Sequence, residues 1–370
     1  MMKRNILAVA IPALLAAGAA NAAEVYNKDG NKLDLNGKLH AGYIFGDQSK
    51  TLFGDGDKTY ARLGFTGETK INSDLTGYGR FEYEFNGSED EANNASKGKT
   101  RYAYAGLKFA NFGSLDYGRN KGIAYDGISY TDVLPEWGGD NSYTDTITGR
   151  NSGVLTYRNK NFFGLVDGWN FGLQYQAKNE RTGDGSVSSS NPQRDLKRQN
   201  GDGWGVSSSY TAPFGVGIIA SYEAVDRTDA QVGQGEGKKA EAWATGLKYD
   251  ANNVYVAATY GQYRNLTFVN ATNITFADKT KFFEAVAQYT FDFGLKQSLA
   301  YVSAKADDET GAGAGTSGYV LKYVSLGSTY SFNKNLSASV EYAINLIDND
   351  NNPYNKRTGN SVFTGLTYQF

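Results

Sequence analysis

The stretch LSASVEYAINL, residues 336–346, decides the fold class of this 370-residue chain. Its side chains are apolar at every second position and mostly polar at the positions between: Leu336, Ala338, Val340, Tyr342, Ile344 and Leu346 against Ser337, Ser339, Glu341, Ala343 and Asn345. Successive side chains of a β-strand point to opposite sides, so this alternation predicts a strand with one apolar and one polar face. The stretch FFEAVAQYTF, residues 282–291, alternates in the same way.

The apolar face of residues 282–291 carries aromatic side chains at its ends and small ones between them. Tyr and Phe at both interfaces, with an apolar middle, are typical of strands that face lipid. The steps from Phe283 to Phe291, at ~3.4 Å each and a tilt of ~40°, cover about 21 Å, close to the ~25 Å apolar band of outer-membrane barrels. The alternative is a β-sandwich, whose strands bury their apolar faces between two sheets and need no aromatic ends.

Short links rich in Gly, Asn, Asp and Pro alternate along the chain with longer polar stretches. The seven short links are 72–74, 111–113, 159–168, 212–214, 250–253, 292–294 and 333–335. The eight long stretches are 47–57, 88–99, 119–149, 179–200, 226–239, 264–279, 306–318 and 347–357. Together they connect sixteen strands. Because an open sheet edge in lipid would leave backbone groups unpaired, we expect an all-β fold, a closed 16-stranded antiparallel transmembrane β-barrel.

The N-terminus has the pattern of a secretory signal peptide. Lys3 and Arg4 precede an apolar run at 6–20, and a small-x-small motif follows. The run is short for a spanning helix, which needs ~20 apolar residues. We expect cleavage of residues 1–22 and a barrel formed by 23–370. Removing the two N-terminal cations leaves 35 basic against 39 acidic residues, a net charge of −4.

Composition argues against several classes of function. The negative net charge argues against a nucleic-acid binder, and the chain has no cysteine for disulfides or thiolate metal ligands. A barrel hydrolase needs a base to activate its nucleophile, and the single histidine, His40, has no partner at a suggestive spacing. We therefore predict no enzyme, no cofactor and no metal site.

Several strings resemble the trimeric general diffusion porins of enterobacterial outer membranes. They are AEVYNKDGNKLDLNGK (23–38), YARLGFTGET (60–69), INSDLTGYG (71–79), LPEWGGD (134–140), NFFGLVDG (161–168), WATGLKYDANN (243–253) and TYQF (367–370). The resemblance implies a homotrimer in outer-membrane lipid and lipopolysaccharide, inserted by the barrel-assembly machinery. It also implies a water-filled, weakly charge-selective channel for passive diffusion of small hydrophilic solutes and ions. The alternative is a substrate-specific channel for a sugar or an anion.

The stretch 119–149 interrupts the alternation and is the third long loop. In the family that the chain resembles, the third external loop folds inward and narrows the lumen, since a barrel of this width is not filled by its own side chains. Pro135 fixes a bend, and Trp137, in place of the family's Phe, can pack the loop against the wall. Asp132 and Glu136 are then lumenal acids of the constriction.

A cationic row is expected on the barrel wall. The alternation around Lys38 and Arg62 points both side chains inward, together with His40. Lys121 stands where the family pattern has an aromatic residue, and it adds positive potential near the constriction. By resemblance, the basic cluster of the constriction comprises Lys38, Arg62, Arg101 and Arg150.

Three further expectations concern the ends of the chain and the trimer. Lys28 is expected to pair with the carboxylate of Phe370 and so to join the first and last strands. Phe370 resembles the terminal signal that the barrel-insertion machinery recognises. Glu89 or Glu91, in the second loop, is expected to reach a neighbouring subunit, as that loop does in the family.

Overall fold

A computed structural model gives the fold. It describes residues 22–47, 50–88, 98–139, 147–180, 196–197, 199–233, 237–271, 274–309 and 313–370. No helix among these residues is long and apolar enough to cross a membrane.

Sixteen long strands pair antiparallel, each with its neighbours along the chain. They are β1 (Asn31–Phe45), β2 (Tyr60–Lys70), β3 (Leu75–Asn86), β4 (Lys99–Phe109), β5 (Ser114–Lys121), β6 (Arg150–Asn159), β7 (Trp169–Gln176), β8 (Gly203–Thr211), β9 (Val216–Asp226), β10 (Lys239–Ala251), β11 (Val254–Arg264), β12 (Lys279–Thr290), β13 (Leu295–Asp307), β14 (Ser317–Ser331), β15 (Leu336–Asn345) and β16 (Ser361–Gln369). Shorter strands lie at Ala23–Lys28, Gly56–Asp57, Phe268–Ala271 and Ile274–Phe276.

The last strand returns to the first and closes the sheet. β16 pairs with β1 from Gln369 opposite Lys38 onward, and the backbones of Phe370 and Gly37 exchange hydrogen bonds of 2.9 and 3.0 Å. Beyond this point the strand Ala23–Lys28 takes over the same edge of β1. The prediction of a closed 16-stranded antiparallel barrel is confirmed.

The seven short connections lie where the sequence predicts them, and eight longer loops join the other strand ends. Two of the turns are built alike. The side-chain oxygen of Asn72 accepts hydrogen bonds from the backbone N–H groups of Asp74 and Leu75, both at 2.9 Å. The side-chain oxygen of Asn333 accepts in the same way from the N–H groups of Asn335 and Leu336. Asn is suited to such turns because its short amide mimics a backbone carbonyl.

The apolar faces of the strands point outward. In β15, Val340 and Tyr342 are 45% and 37% exposed, whereas Glu341 and Ala343 are fully buried. Phe283 and Glu284 of β12 show the same division. A sandwich would bury the first set and expose the second, so the burial pattern excludes that alternative and fits strands solvated by lipid.

Candidate functional site

The described part of the third long loop, residues 119–139 and 147–149, lies inside the barrel. It begins with a 3₁₀ helix, Ile123–Ile128, which packs on the inner faces of β7 to β11. The N–H of Ile123 donates to Gln174 at 2.9 Å, and that of Ala124 donates to Glu223 at 3.1 Å. Backbone groups shielded from water need such partners, and inward-facing polar side chains of the wall supply them. The predicted inward fold of this loop is confirmed.

An ion pair holds the helix from its other side. The guanidinium of Arg158, on β6, makes two bonds to Asp126, at 2.7 and 3.1 Å. Ser207, on β8, also donates to Asp126 at 2.6 Å. A bidentate arginine–carboxylate pair fixes direction as well as distance, so it sets the orientation of the helix in the lumen.

The middle of the loop continues along the wall to β12. The hydroxyl of Tyr255 donates to the backbone carbonyl of Tyr130 at 2.6 Å. The side-chain amide of Gln288 donates to the backbone carbonyl of Val133 at 2.9 Å. Thr131 donates its hydroxyl to the buried carboxylate of Glu284. The loop is therefore attached to the wall at intervals along its course.

The tip of the loop docks near the seam of the barrel. The N–H groups of Glu136 and Trp137 both donate to Glu341, at 2.8 and 3.2 Å. The indole stacks on Phe53 with ring centroids 4.5 Å apart and meets the edge of Phe363 at 6.3 Å. The prediction that Trp137 packs the loop against the wall is confirmed.

The predicted cations lie on a different arc of the barrel, on β1, β2, β4 and the start of β6. Arg62 bonds Glu84 at 2.6 Å, and Arg101 bonds the same carboxylate at 3.0 Å. Lys38 and Arg62 also share one aromatic neighbour, Tyr60, at 5.5 and 4.4 Å from its ring centroid. The guanidinium of Arg150 lies 5.9 Å from the centroid of the Tyr102 ring. The structure thus groups Lys38, Arg62 and Arg101 tightly, with Arg150 beside them.

Two acids of this wall were missed at the level of sequence. Glu82 bonds Arg101 at 2.5 Å and Arg80 at 2.8 Å, and Glu84 additionally contacts Lys99 at 2.9 Å. The signal was present, because the glutamates alternate with three aromatic residues in FEYEF, 81–85, and so share the inward face. They offset part of the positive charge of the row.

Two of the predicted loop residues meet at Tyr125. The ammonium group of Lys121 lies 3.1 Å from the centroid of the Tyr125 ring, and the phenol of Tyr125 donates to Asp132. Burial raises the pKa of Tyr125 well above its usual range, so this phenol stays protonated and remains a donor. Lys121 and Asp132 thus both contact the side chain of Tyr125.

Glu136 lies at the far end of the loop, against β1. Its carboxylate is 3.5 Å from His40, whose side chain is 5% exposed. Burial raises the pKa of the Glu136 carboxyl, while the nearby charges of Lys38 and Arg62 act in the opposite direction. The structure therefore places the predicted constriction residues in three groups: the four cations of the wall, Lys121 with Asp132 at Tyr125, and Glu136 beside His40.

The pairing predicted between Lys28 and the Phe370 carboxylate is absent. Lys28 lies opposite Asn31 at the end of its hairpin, six residues along β1 from Gly37, the partner of Phe370. At ~3.3 Å per residue this separation is about 20 Å, beyond the reach of a lysine. Its ammonium group instead lies 4.0 Å from Asp29. Glu89 and Glu91 lie outside the described residues, so the expectation for them stays a prediction.

Comparison with known proteins decides the family. A family model described as Gram-negative porin matches residues 28–370. The chain belongs to the Gram-negative porin family. It is 54% identical over 381 residues to the outer membrane porin F of Escherichia coli K12. It is 52% identical over 389 residues to the outer membrane protein F of Serratia marcescens. In both comparisons the match covers all of this chain and all of the relative.

Solved structures agree with this porin assignment. Salmonella typhi OmpF, in complex with daunomycin, superposes with a TM-score of 0.82 at 44% identity, covering 94% of this chain and all of that one. The trimer form of Vibrio cholerae OmpT, at 15% identity and a TM-score of 0.62, shares the fold. The chain is a general outer-membrane porin, and the alternative of a substrate-specific channel is not supported. Its family consists of channel proteins, not of enzymes.

Proposed function

We propose that solutes cross this porin through a constriction bounded by the loop at 119–149 on one side and the basic wall on the other. The carrying observation is the attachment of that loop to the inner faces of β7 to β12 and β15. The cations of the wall instead stand on β1, β2, β4 and the start of β6. The two sets line different arcs of one water-filled lumen. Passage is passive and needs no tight binding site.

Weak charge selectivity follows from the balance of charges at this constriction. Low-dielectric walls focus the field between the basic wall and the loop acids, so dipolar solutes and water orient in it. The basic set comprises Lys38, Arg62, Arg101, Arg150 and Lys121, and the acids of the loop are Asp132 and Glu136. Because Glu82 and Glu84 already pair with the arginines, the net field is moderate, and ions of both signs pass.

Planar-bilayer recording tests the proposal. The purified protein is expected to insert in steps of three equal conductances, because relatives of the OmpF type suggest a homotrimer with one pore in each subunit. The steps are expected to be large, weakly ion-selective and insensitive to maltodextrins. Block by a maltodextrin would favour a substrate-specific channel, and the absence of conductance steps would contradict the proposal.

Export and assembly complete the proposal. We propose cleavage after Ala22, recognition of Phe370 by the barrel-insertion machinery, and residence among outer-membrane lipid and lipopolysaccharide. A mature protein whose N-terminal sequence, read from outer membranes, begins elsewhere than at Ala23 would contradict the cleavage site. Normal insertion after deletion of Phe370 would contradict its role as a signal.

A further inference from the structure

His40, the only histidine of the chain, occupies a tightly enclosed place in the lumen wall. Its ring lies between Tyr60, with centroids 4.8 Å apart, and Phe363, with centroids 5.6 Å apart and planes 4° from parallel. A Cβ atom at Gly42 would stand 2.7 Å from the His40 ring, so the neighbouring backbone leaves room only for glycine. The imidazole therefore has a defined plane and cannot rotate freely.

The two ring nitrogens face different partners. Nδ1 lies 2.9 Å from the hydroxyl of Thr367, on β16. Nε2 is buried without a hydrogen-bond partner, and the nearest acid, the carboxylate of Glu136, is 3.5 Å away. If Thr367 donates to Nδ1, the proton of the neutral ring lies on Nε2 and points at Glu136.

The carboxylate of Glu136 has few other restraints. The loop backbone is fixed because Glu341 accepts the N–H groups of Glu136 and Trp137, but those bonds do not direct the Glu136 side chain. Among the residues that the structure describes, His40 is the only ion-pairing group within 4.0 Å of that carboxylate. The imidazole is therefore the nearest ionisable neighbour of the Glu136 carboxylate.

We propose that His40 is a positioning residue for permeation, which holds the carboxylate of Glu136 in place at the lumen and, when protonated, cancels its charge. The proposal rests on the function proposed above, in which the acids of the loop contribute to ion selectivity. A neutral imidazole presents Glu136 as a full negative charge to passing ions. A protonated imidazole converts the two side chains into a salt bridge and leaves the cations of the wall unopposed at this end of the loop.

The charged surroundings of the pair are mixed. Burial opposes a positive charge on the His40 ring, and so do Lys38 on β1 and Arg62 on β2, whereas Glu84 on β3 favours that charge. Lys58 and Glu341 face Glu136, along with the same two cations. The pH response therefore belongs to the coupled pair, and the experiment separates its two members.

The experiment measures reversal potentials of the intact protein in bilayers under a salt gradient, from about pH 4 to about pH 8. The variants are His40→Phe, which keeps the stacking and removes both nitrogens, Glu136→Gln, and the double variant. Near pH 7.5 we expect His40→Phe to change the cation-to-anion permeability ratio by roughly twofold. In the Glu136→Gln background the same substitution is expected to leave the ratio unchanged.

The acid range provides the second readout. Wild type is expected to lose cation permeability as the pH falls, and His40→Phe is expected to lose less of it. The proposal would be overturned if His40→Phe changed the permeability ratio equally in the wild-type and Glu136→Gln backgrounds. It would also be overturned if the pH dependence of the ratio in His40→Phe matched that of wild type. Wild-type channels without any ion selectivity would instead contradict the proposed function.

His40→Gln keeps the inference testable if the phenylalanine variant does not assemble. Its side-chain amide can still donate to Glu136 but does not titrate. The expected result is a native permeability ratio near neutral pH without the loss at acid pH. A native profile over the whole range would contradict a role for His40.

Discussion

At the scale of single residues, charge placement rather than charge count sets the properties of the constriction. Arg62 and Arg101 each touch a glutamate of the same wall, so their fields are partly compensated. Arg158 is compensated in the same way by Asp126 of the loop. Lys121 differs, because its contact is the face of Tyr125, a neutral ring. Its nearest acid, Asp132, acts on it across that ring and not through a direct ion pair.

Substitution of Lys121 tests this difference. Lys121→Gln is expected to raise the cation-to-anion permeability ratio by roughly twofold, since it removes a positive charge that forms no direct ion pair from a low-dielectric lumen. The reversal potential in a salt gradient measures the ratio. Lys334→Gln, in the turn before β15 and far from the loop, is the matched control and should leave the ratio unchanged. An unchanged ratio in the Lys121 variant would mean that this charge is screened from the permeation path.

At the scale of secondary-structure elements, backbone pairing joins the ends of the barrel. β1 pairs with β16 and then with the strand Ala23–Lys28, so both edges of the sheet are satisfied along the seam. Unpaired backbone groups cost several kcal/mol each in hydrocarbon, which makes this pairing the dominant interaction. A side-chain pair at the rim adds little to it.

We therefore expect Lys28→Ala to have no measurable effect on closure. Its side chain and that of Asp29 are both more than 70% exposed, and exposed pairs contribute about 0–1 kcal/mol. The temperature at which the folded species converts to the unfolded one on a semi-native gel should match that of wild type. A clear decrease would show that Lys28 has a partner at the seam in the membrane that the structure lacks.

At the scale of the whole molecule, the strands of the porin direct their apolar faces to lipid and their polar faces to the lumen, the reverse of a soluble β-protein. The apolar faces of its strands point outward and buried polar residues of the wall hold a loop, so its stability depends on lipid outside and hydrogen bonding inside. The loop docks largely on carboxylates and amides of the inner wall, such as Glu223, Glu284 and Glu341. We predict that, in a trimer, the second loop of one subunit reaches its neighbour.

Deletion of residues 88–97 tests that contact. If Glu89 or Glu91 reaches a neighbouring subunit, the shortened protein should dissociate to monomers at a lower temperature than wild type, while each barrel stays folded. Heat-dependent gel migration separates the two transitions. An unchanged trimer would refute the role predicted for the second loop.

The sequence determined the barrel by itself. Alternation has a period of two, and it is visible in one dimension wherever one face meets lipid and the other meets water, as in residues 336–346. The same periodicity pointed Lys38 and Arg62 inward, and turn residues such as Asn72 marked the strand ends. Glu82 and Glu84 were equally accessible to this reasoning.

Only the tertiary structure decided how the loop sits and which charges meet. Tyr125 between Lys121 and Asp132, and His40 between Tyr60 and Phe363, depend on contacts between segments far apart in the chain. The pairing expected between Lys28 and the Phe370 carboxylate fails for the same reason, because the registers place Lys28 opposite Asn31 and Phe370 opposite Gly37. Local patterns do not determine which residues of the first and last strands pair or what packs across the lumen, since both arise when the ring of strands closes.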